Sequence, residues 1–207
     1  MNGERVPWVF GVSGASGTGY ARAVLNALLD AGEAVDLIVS RAARLTLLDE
    51  VGLSFRDAHW REDLSIWLGR DPGNSVHWPA GDLAAGPSSG SYRTRGMLVV
   101  PASTAAVAGI AIGLSKDLLQ RAADVTLKER RTLVVVPRET PYTRATLQHL
   151  LTLHDAGAIV LPASPGFYSA ANSVQQLVDF VAAKVLDGIG VEHDLITRWS
   201  GDLGGAR

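Results

Sequence analysis

The chain has no cysteine, which removes disulfides, thiolate nucleophiles and thiolate metal sites. No apolar run reaches membrane-spanning length, and residues 1–10 hold too little apolar sequence for a signal peptide. No membrane association is expected, and a cytoplasmic location is the default reading. Nor is there a basic stripe: 19 Lys+Arg stand against 21 Asp+Glu, a formal charge of −2 with no general attraction for nucleic acid. His59, His77, His149, His154 and His193 are scattered, with no His-x-x-x-His pair, and read as surface or packing residues. Carboxylate clusters at metal-ligand spacing are missing, as is an Asp-Asp-x-x-Asp run that would carry magnesium to a diphosphate. Metal-assisted chemistry is therefore disfavoured.

What is present is enough apolar material for one sizeable core: 207 residues, 47% of them hydrophobic, expected to form a single domain over residues 1–207. Short apolar runs predict strands at Trp8–Val12, Val35–Val39, Met97–Val100, Leu133–Val136 and Ile159–Leu161. Helical patterns lie between and after them, at Tyr20–Ala31, Ala42–Val51, Lys116–Lys128, Thr143–Ala156 and Val174–Leu186. Alternating strand and helix predicts a three-layer α/β fold with a mostly parallel sheet. Residues 53–95, with Trp60, Trp67 and Trp78, break the rhythm and read as an excursion holding a short helix near Glu62–Leu68.

Chemistry is concentrated where strands give way to helices. Gly11-Val-Ser-Gly14-Ala15-Ser16-Gly17-Thr-Gly19 follows the first strand, allowing a tight turn and leaving free N–H groups for an anion. A dinucleotide site would add Gly-x-Gly-x-x-Gly and an acid after the second strand. Here that strand ends in Ser40, and Asp36 comes too early. A mononucleotide with one phosphate fits better, FMN foremost, although Ser40 read alone is equally a helix cap. Pro101-Ala-Ser103-Thr104 makes a similar turn toward a helix and admits the same two readings.

Three further segments carry charge or aromatic groups. Arg121 to Arg131 is a basic-ended helix, of which Glu129, Arg130 and Arg131 read as a solvated end. Pro137-Arg138-Glu139 sets a guanidinium beside a carboxylate at a strand exit, which suits an anion and a proton handled together. Pro165-Gly-Phe-Tyr168 offers an aromatic face, with Lys184 sixteen residues on and Arg198-Trp199 near the C-terminus.

Gly14-Ala15-Ser16-Gly17, Ser40, Ser89-Gly90-Ser91, Pro101–Thr104, Arg121–Arg131, Pro137-Arg138-Glu139 and Pro165-Gly166-Phe167-Tyr168 together closely resemble the flavin prenyltransferase family. The resemblance spans nearly the whole chain and is weakest over residues 53–83. It implies a Rossmann-like/flavodoxin-like fold that joins a dimethylallyl group from dimethylallyl monophosphate to reduced FMN, at N5 and C6. The product would be prenylated FMN for a partner decarboxylase, made by a homo-oligomer, a dodecamer in this family, with sites between subunits. On this likeness Gly14, Ala15, Ser16, Ser40, Ser103, Thr104, Ala105, Ala106 and Arg138 hold FMN. Tyr168, Lys184, Ser89, Gly90 and Trp199, with Arg121 and Lys128, serve the donor, while Glu139, Ser16 and Glu50 take part in proton transfer.

The chain departs from the family pattern at several positions. Leu83 replaces a Trp near the prenyl pocket, implying a reshaped pocket, and Lys184 replaces an Arg. Ala102 stands for a Cys, and Ala105 and Ala106 for small or hydroxylated residues. Two other readings compete. An oxidative decarboxylase of the peptidyl-cysteine type would need a catalytic His after the early strands and a Pro-x-Met-Asn segment, and neither is found. A non-catalytic flavin-binding subunit would have no need for Arg121, Lys128, Glu139 and Tyr168 together.

Overall fold

Five apolar runs and one short polar one assemble into a six-stranded sheet in which every pairing is parallel. The structure, a computed structural model, describes residues 5–167 and 171–198. In chain order the elements are β1 (Trp8–Val12), α1 (Thr18–Asp30), β2 (Val35–Val39), α2 (Arg41–Val51), α3 (Trp60–Leu68) and β3 (Ser75–His77). They continue with β4 (Gly96–Ala102), α4 (Thr104–Ala111), α5 (Leu118–Lys128), β5 (Thr132–Pro137), α6 (Arg144–Asp155), β6 (Ile159–Val160) and α7 (Val174–Ile189). No helix among the described residues is long and apolar enough to cross a membrane.

The strand order is β3-β2-β1-β4-β5-β6, so the direction of winding reverses between β1 and β4. In such sheets the crevice beyond the strands' carboxyl ends, at that reversal, is where ligands sit. Successive residues of a strand point to opposite faces. Trp8, Phe10 and Val12 accordingly join the core under α1, α2, α3 and α7. Val9 joins the core under α4, α5 and α6.

Glycine fixes how α5 sits over the reversal. A Cβ on Gly11 would lie 3.0 Å from Leu119 Cδ1 and 3.1 Å from Met97 Cε, so the bare backbone lets Leu119 seat directly on β1. Leu119 is fully buried, and truncating such a residue to Ala costs roughly 2–5 kcal/mol.

At the opposite end of the sheet, Asp36 on β2 has no exposed surface and is bonded to Arg5 Nη1 at 2.6 Å and Tyr92 Oη at 2.8 Å. Burial first, then the Asp36 charge, pushes the Tyr92 phenol up to about 12. Asp36 is therefore a structural anion, which explains an acid so early in the strand.

The expected three-layer α/β fold is the observed one, and β1 and β2 fall at the expected bounds. The excursion after residue 52 also contributes an edge strand, β3, that no apolar run announces. Its His77 is buried, bonded to Leu37 O at 3.1 Å and to Asp57 Oδ1 at 2.7 Å. The turn at Pro101–Thr104 leads into α4, whose sequence TAAVAGIA is too uniformly apolar to show a helical period.

Candidate functional site

Three strand ends and three helix starts enclose a cavity of 560 Å³ at the reversal between β1 and β4. Volumes of a few hundred to a thousand Å³ suit an organic ligand or cofactor. Gly14, Ser40, Ser103, Ala105 and Ala106, all expected at the flavin, line it. So do Ser13, Arg41, Lys116, Asp117 and Gln120, which the sequence did not single out.

Local chemistry holds this wall rigid. Ser13 Oγ donates to Pro101 O at 2.8 Å and accepts from Ser103 N at 2.7 Å, locking the ends of β1 and β4 together. Ser40 caps α2 by accepting from Ala43 N at 3.1 Å, and Ser103 caps α4 by accepting from Ala106 N at 3.2 Å. Both serines cap their helices and also line the cavity, and one hydroxyl can accept and donate at once. Gly14 is required here: a Cβ would stand 2.4 Å from Ala42 Cβ and 3.0 Å from its carbonyl carbon. Hydroxyls, helix amino ends and the cations Arg41 and Lys116 make the cavity a fit for a ligand with an anionic group.

The end of the glycine-rich turn is held by a carboxylate of the protein itself. Gly17, at φ 108, starts α1 with no side-chain cap of its own. Glu50, from the last turn of α2, supplies it: Oε1 accepts from Gly17 N and Oε2 from Thr18 N, both at 2.8 Å. Thr18 Oγ1 donates to Oε2 at 2.7 Å. Burial pushes the Glu50 carboxyl up, but the bonds from Thr18, Ser16 and the turn's backbone outweigh it and hold the pKa below its ordinary value. Glu50 thus takes the N–H groups of Gly17 and Thr18, at the end of this turn. Glu50 and Ser16 are brought together, with Glu50 as an ionised cap.

A second cavity, of 490 Å³, lies at the ends of β5 and β6 and is lined by Tyr20, Arg138, Glu139, Tyr142 and Ser164 among others. Arg138 N donates to Ala102 O at 3.2 Å, which ties this strand exit to the flavin-side wall. Glu139 is exposed and accepts from Thr140 N at 2.9 Å. Burial and then the Glu139 charge raise the Tyr142 phenol.

The remaining expected residues gather elsewhere. The loop carrying Ser89 and Gly90 is laid along α5 by Arg121, whose Nε donates to Ser88 O at 3.1 Å. Arg131 donates to Gly90 O at 2.7 Å and Tyr92 O at 2.9 Å, so it is a loop clamp and not part of a solvated helix end. Lys128 and Glu129 pair at 2.5 Å beneath Gly90, where a Cβ would lie 2.1 Å from Glu129 Oε1. Ser89, Gly90, Arg121 and Lys128 thus form one group, and none of them lines either cavity.

Lys184 belongs to neither place. It is exposed on α7, 3.6 Å from Asp187 Oδ2 and 5.9 Å from the Phe180 ring centre. Because α7 and α5 pack on opposite faces of the sheet, one chain does not bring Lys184 to Arg121 and Lys128. Leu83 is exposed and is not among the residues that line either cavity. Tyr168 and Trp199 lie outside the described residues.

The family model described as Flavoprotein matches residues 1–186. A curated flavin prenyltransferase UbiX of Streptomyces coelicolor is 68% identical over 213 aligned residues, covering 98% of this chain and 99% of the relative. The chain belongs to the flavin prenyltransferase family. Among solved structures, a UbiX protein in complex with FMN and dimethylallyl pyrophosphate is 34% identical, with a TM-score of 0.85, covering 96% of this chain and 99% of that one. A dodecameric FMN-dependent UbiX-like decarboxylase from Escherichia coli is 36% identical, with a TM-score of 0.84, covering 95% and 100%. A peptidyl-cysteine decarboxylase, at 12% identity and a TM-score of 0.53, shares the fold alone with this flavin prenyltransferase relative.

Proposed function

We propose that the chain transfers the dimethylallyl group of dimethylallyl monophosphate to reduced FMN at N5 and C6, in an FMN-binding unit spanning residues 1–207. It is an enzyme, a flavin prenyltransferase, and FMN is its flavin. The reading is carried by the cavity at the sheet reversal, where Gly14, Ser40, Ser103, Ala105 and Ala106 converge in a member of this family. Its donor set fits a flavin phosphate, and Ala15, Thr104 and Arg138 complete the flavin's surroundings in the proposal. Reduced FMN supplies the nucleophilic nitrogen and ring carbon that become alkylated.

The chain's own residues do the rest. Breaking the allylic C–O bond separates a cation from a phosphate, and cationic donors aimed at that phosphate stabilise the separation. Hydrogen bonds to charged groups contribute roughly 1.5–3 kcal/mol each. Arg121, Lys128 and Lys184, with Tyr168 and the Ser89-Gly90 turn, are the proposed phosphate grip, with no metal in the scheme. Tyr168 and Trp199 offer aromatic faces to the allyl cation. Glu139 accepts the proton lost on ring closure, and the Ser16 hydroxyl, held by Glu50, relays a proton beside the glycine turn.

Since Lys184 and Arg121 lie on opposite faces of one sheet, the grip requires residues of different subunits, and a dodecamer is the proposed assembly. The product would pass to a prenylated-FMN-dependent decarboxylase, in the cytoplasm. Anaerobic incubation with reduced FMN and dimethylallyl monophosphate, followed by mass measurement of the flavin, should show the gain of one dimethylallyl unit. An unchanged flavin mass would remove the reading, and a gain only with the diphosphate would correct the donor.

A further inference from the structure

Gln120 is a polar residue on the apolar face of α5, 7% exposed, and it lines the flavin cavity. Its Oε1 accepts from Lys116 N at 3.1 Å, and an amide N–H can only donate to an acceptor, so the other atom of the amide is Nε2. Among the described residues Nε2 has no hydrogen-bond acceptor. It is seated against Gly109, where a Cβ would stand 2.3 Å away, so the amide lies in a slot that a larger residue would close. Nε2 is not one of the fully buried unpartnered atoms, so it is open to solvent, and a free donor of a residue on the cavity wall can bond an acceptor of the ligand.

The charges around it say which acceptor. Arg41 and Lys116 line the same cavity, as do Ser40 and Ser103 at the amino ends of α2 and α4. Asp117 also lines it, but its carboxylate is turned to its own helix, where Oδ1 accepts from Gln120 N at 3.0 Å. We propose that Gln120, with Lys116 and Arg41, recognises the phosphate of the bound flavin and makes the site selective for FMN over riboflavin. This rests on the flavin reading above and adds to it the groups that read the phosphate end.

The test is to titrate the full-length chain with FMN and, separately, with riboflavin, following quenching of flavin fluorescence. Gln120→Glu keeps the acceptor for Lys116 N and the side-chain shape while replacing the donor with a negative charge. The FMN dissociation constant should rise by about tenfold or more, and that of riboflavin by less than about threefold. Gln120→Met, which keeps the volume and adds no charge, should lower the FMN-to-riboflavin preference by about threefold or more. Together these cover the case in which Gln120→Glu does not fold. A wild-type preference for FMN that both folded variants retain unchanged overturns the assignment alone. Wild-type protein that binds neither flavin overturns the flavin reading and this assignment with it.

Discussion

Glu50 and Thr18, 32 positions apart, are joined twice: Thr18 donates to the same carboxylate oxygen from its backbone at 2.8 Å and from its hydroxyl at 2.7 Å. The last turn of α2 thereby closes the start of α1. Removing a helix cap costs about 1 kcal/mol, and Glu50→Gln should lower the urea midpoint at neutral pH by a matching amount. The folded pKa of Glu50 lies below its ordinary value, so its contribution is fully present above the unfolded pKa. It is lost as pH falls through the folded pKa. Wild type and Glu50→Gln should therefore converge in stability toward acid pH; a gap that stays constant would show that the charge plays no part.

The glycines of the first turn are not equivalent. A methyl group on Gly14 would meet Ala42 Cβ at 2.4 Å and the Ala42 backbone at 3.0 Å, with nothing flexible to give way, whereas one on Gly19 would meet only Val178 at 4.0 Å. Gly14→Ala should cost about 1–3 kcal/mol and reduce FMN retention by displacing α2. Gly19→Ala, in the first turn of α1, should be neutral or stabilising by up to about 1 kcal/mol. Thermal unfolding of both, with flavin content measured after gel filtration, checks the contrast.

Glu139 is exposed in the second cavity and bonded only through Thr140 N among the described residues. Glu139→Gln should keep the fold and FMN affinity while slowing turnover by about a hundredfold or more, the scale of a lost general base. Equal loss of flavin binding and turnover would assign Glu139 a structural role.

Gly90 sits on the Lys128–Glu129 pair, both flexible at their far ends. Gly90→Ala should therefore cost little stability, under about 1 kcal/mol, yet raise the donor concentration needed for half-maximal rate by displacing Lys128. Steady-state kinetics at saturating FMN measure this, and an unchanged donor requirement would free Lys128 from the phosphate grip.

Much of the sheet was readable because strands buried on both faces are continuous apolar runs, as Trp8–Val12 and Val35–Val39 are. β3 was not, since Ser75-Val-His77 is a short edge segment with one apolar residue between two polar ones. The residues at the turns, Gly14, Ser40 and Ser103, carry their chemistry in local sequence. Glu50 as a cap and Arg131 as a loop clamp depend on contacts 32 and 41 positions away, which no local pattern encodes. Gln120 did leave a trace: a polar residue in the buried phase of α5, between Leu119 and Ala122. The donor group was grouped by resemblance, and only the three-dimensional arrangement separates Lys184 from Arg121.

That separation is tested most directly with mixed oligomers. Arg121→Ala and Lys184→Ala proteins, each nearly inactive with dimethylallyl monophosphate, are dissociated, mixed and reassembled, and flavin prenylation is measured by mass. Shared sites predict that mixing restores a substantial part of the activity, because some pockets then receive an intact residue from each parent. Two inactive parents that stay inactive in a confirmed mixed assembly would contradict a phosphate grip built across subunits.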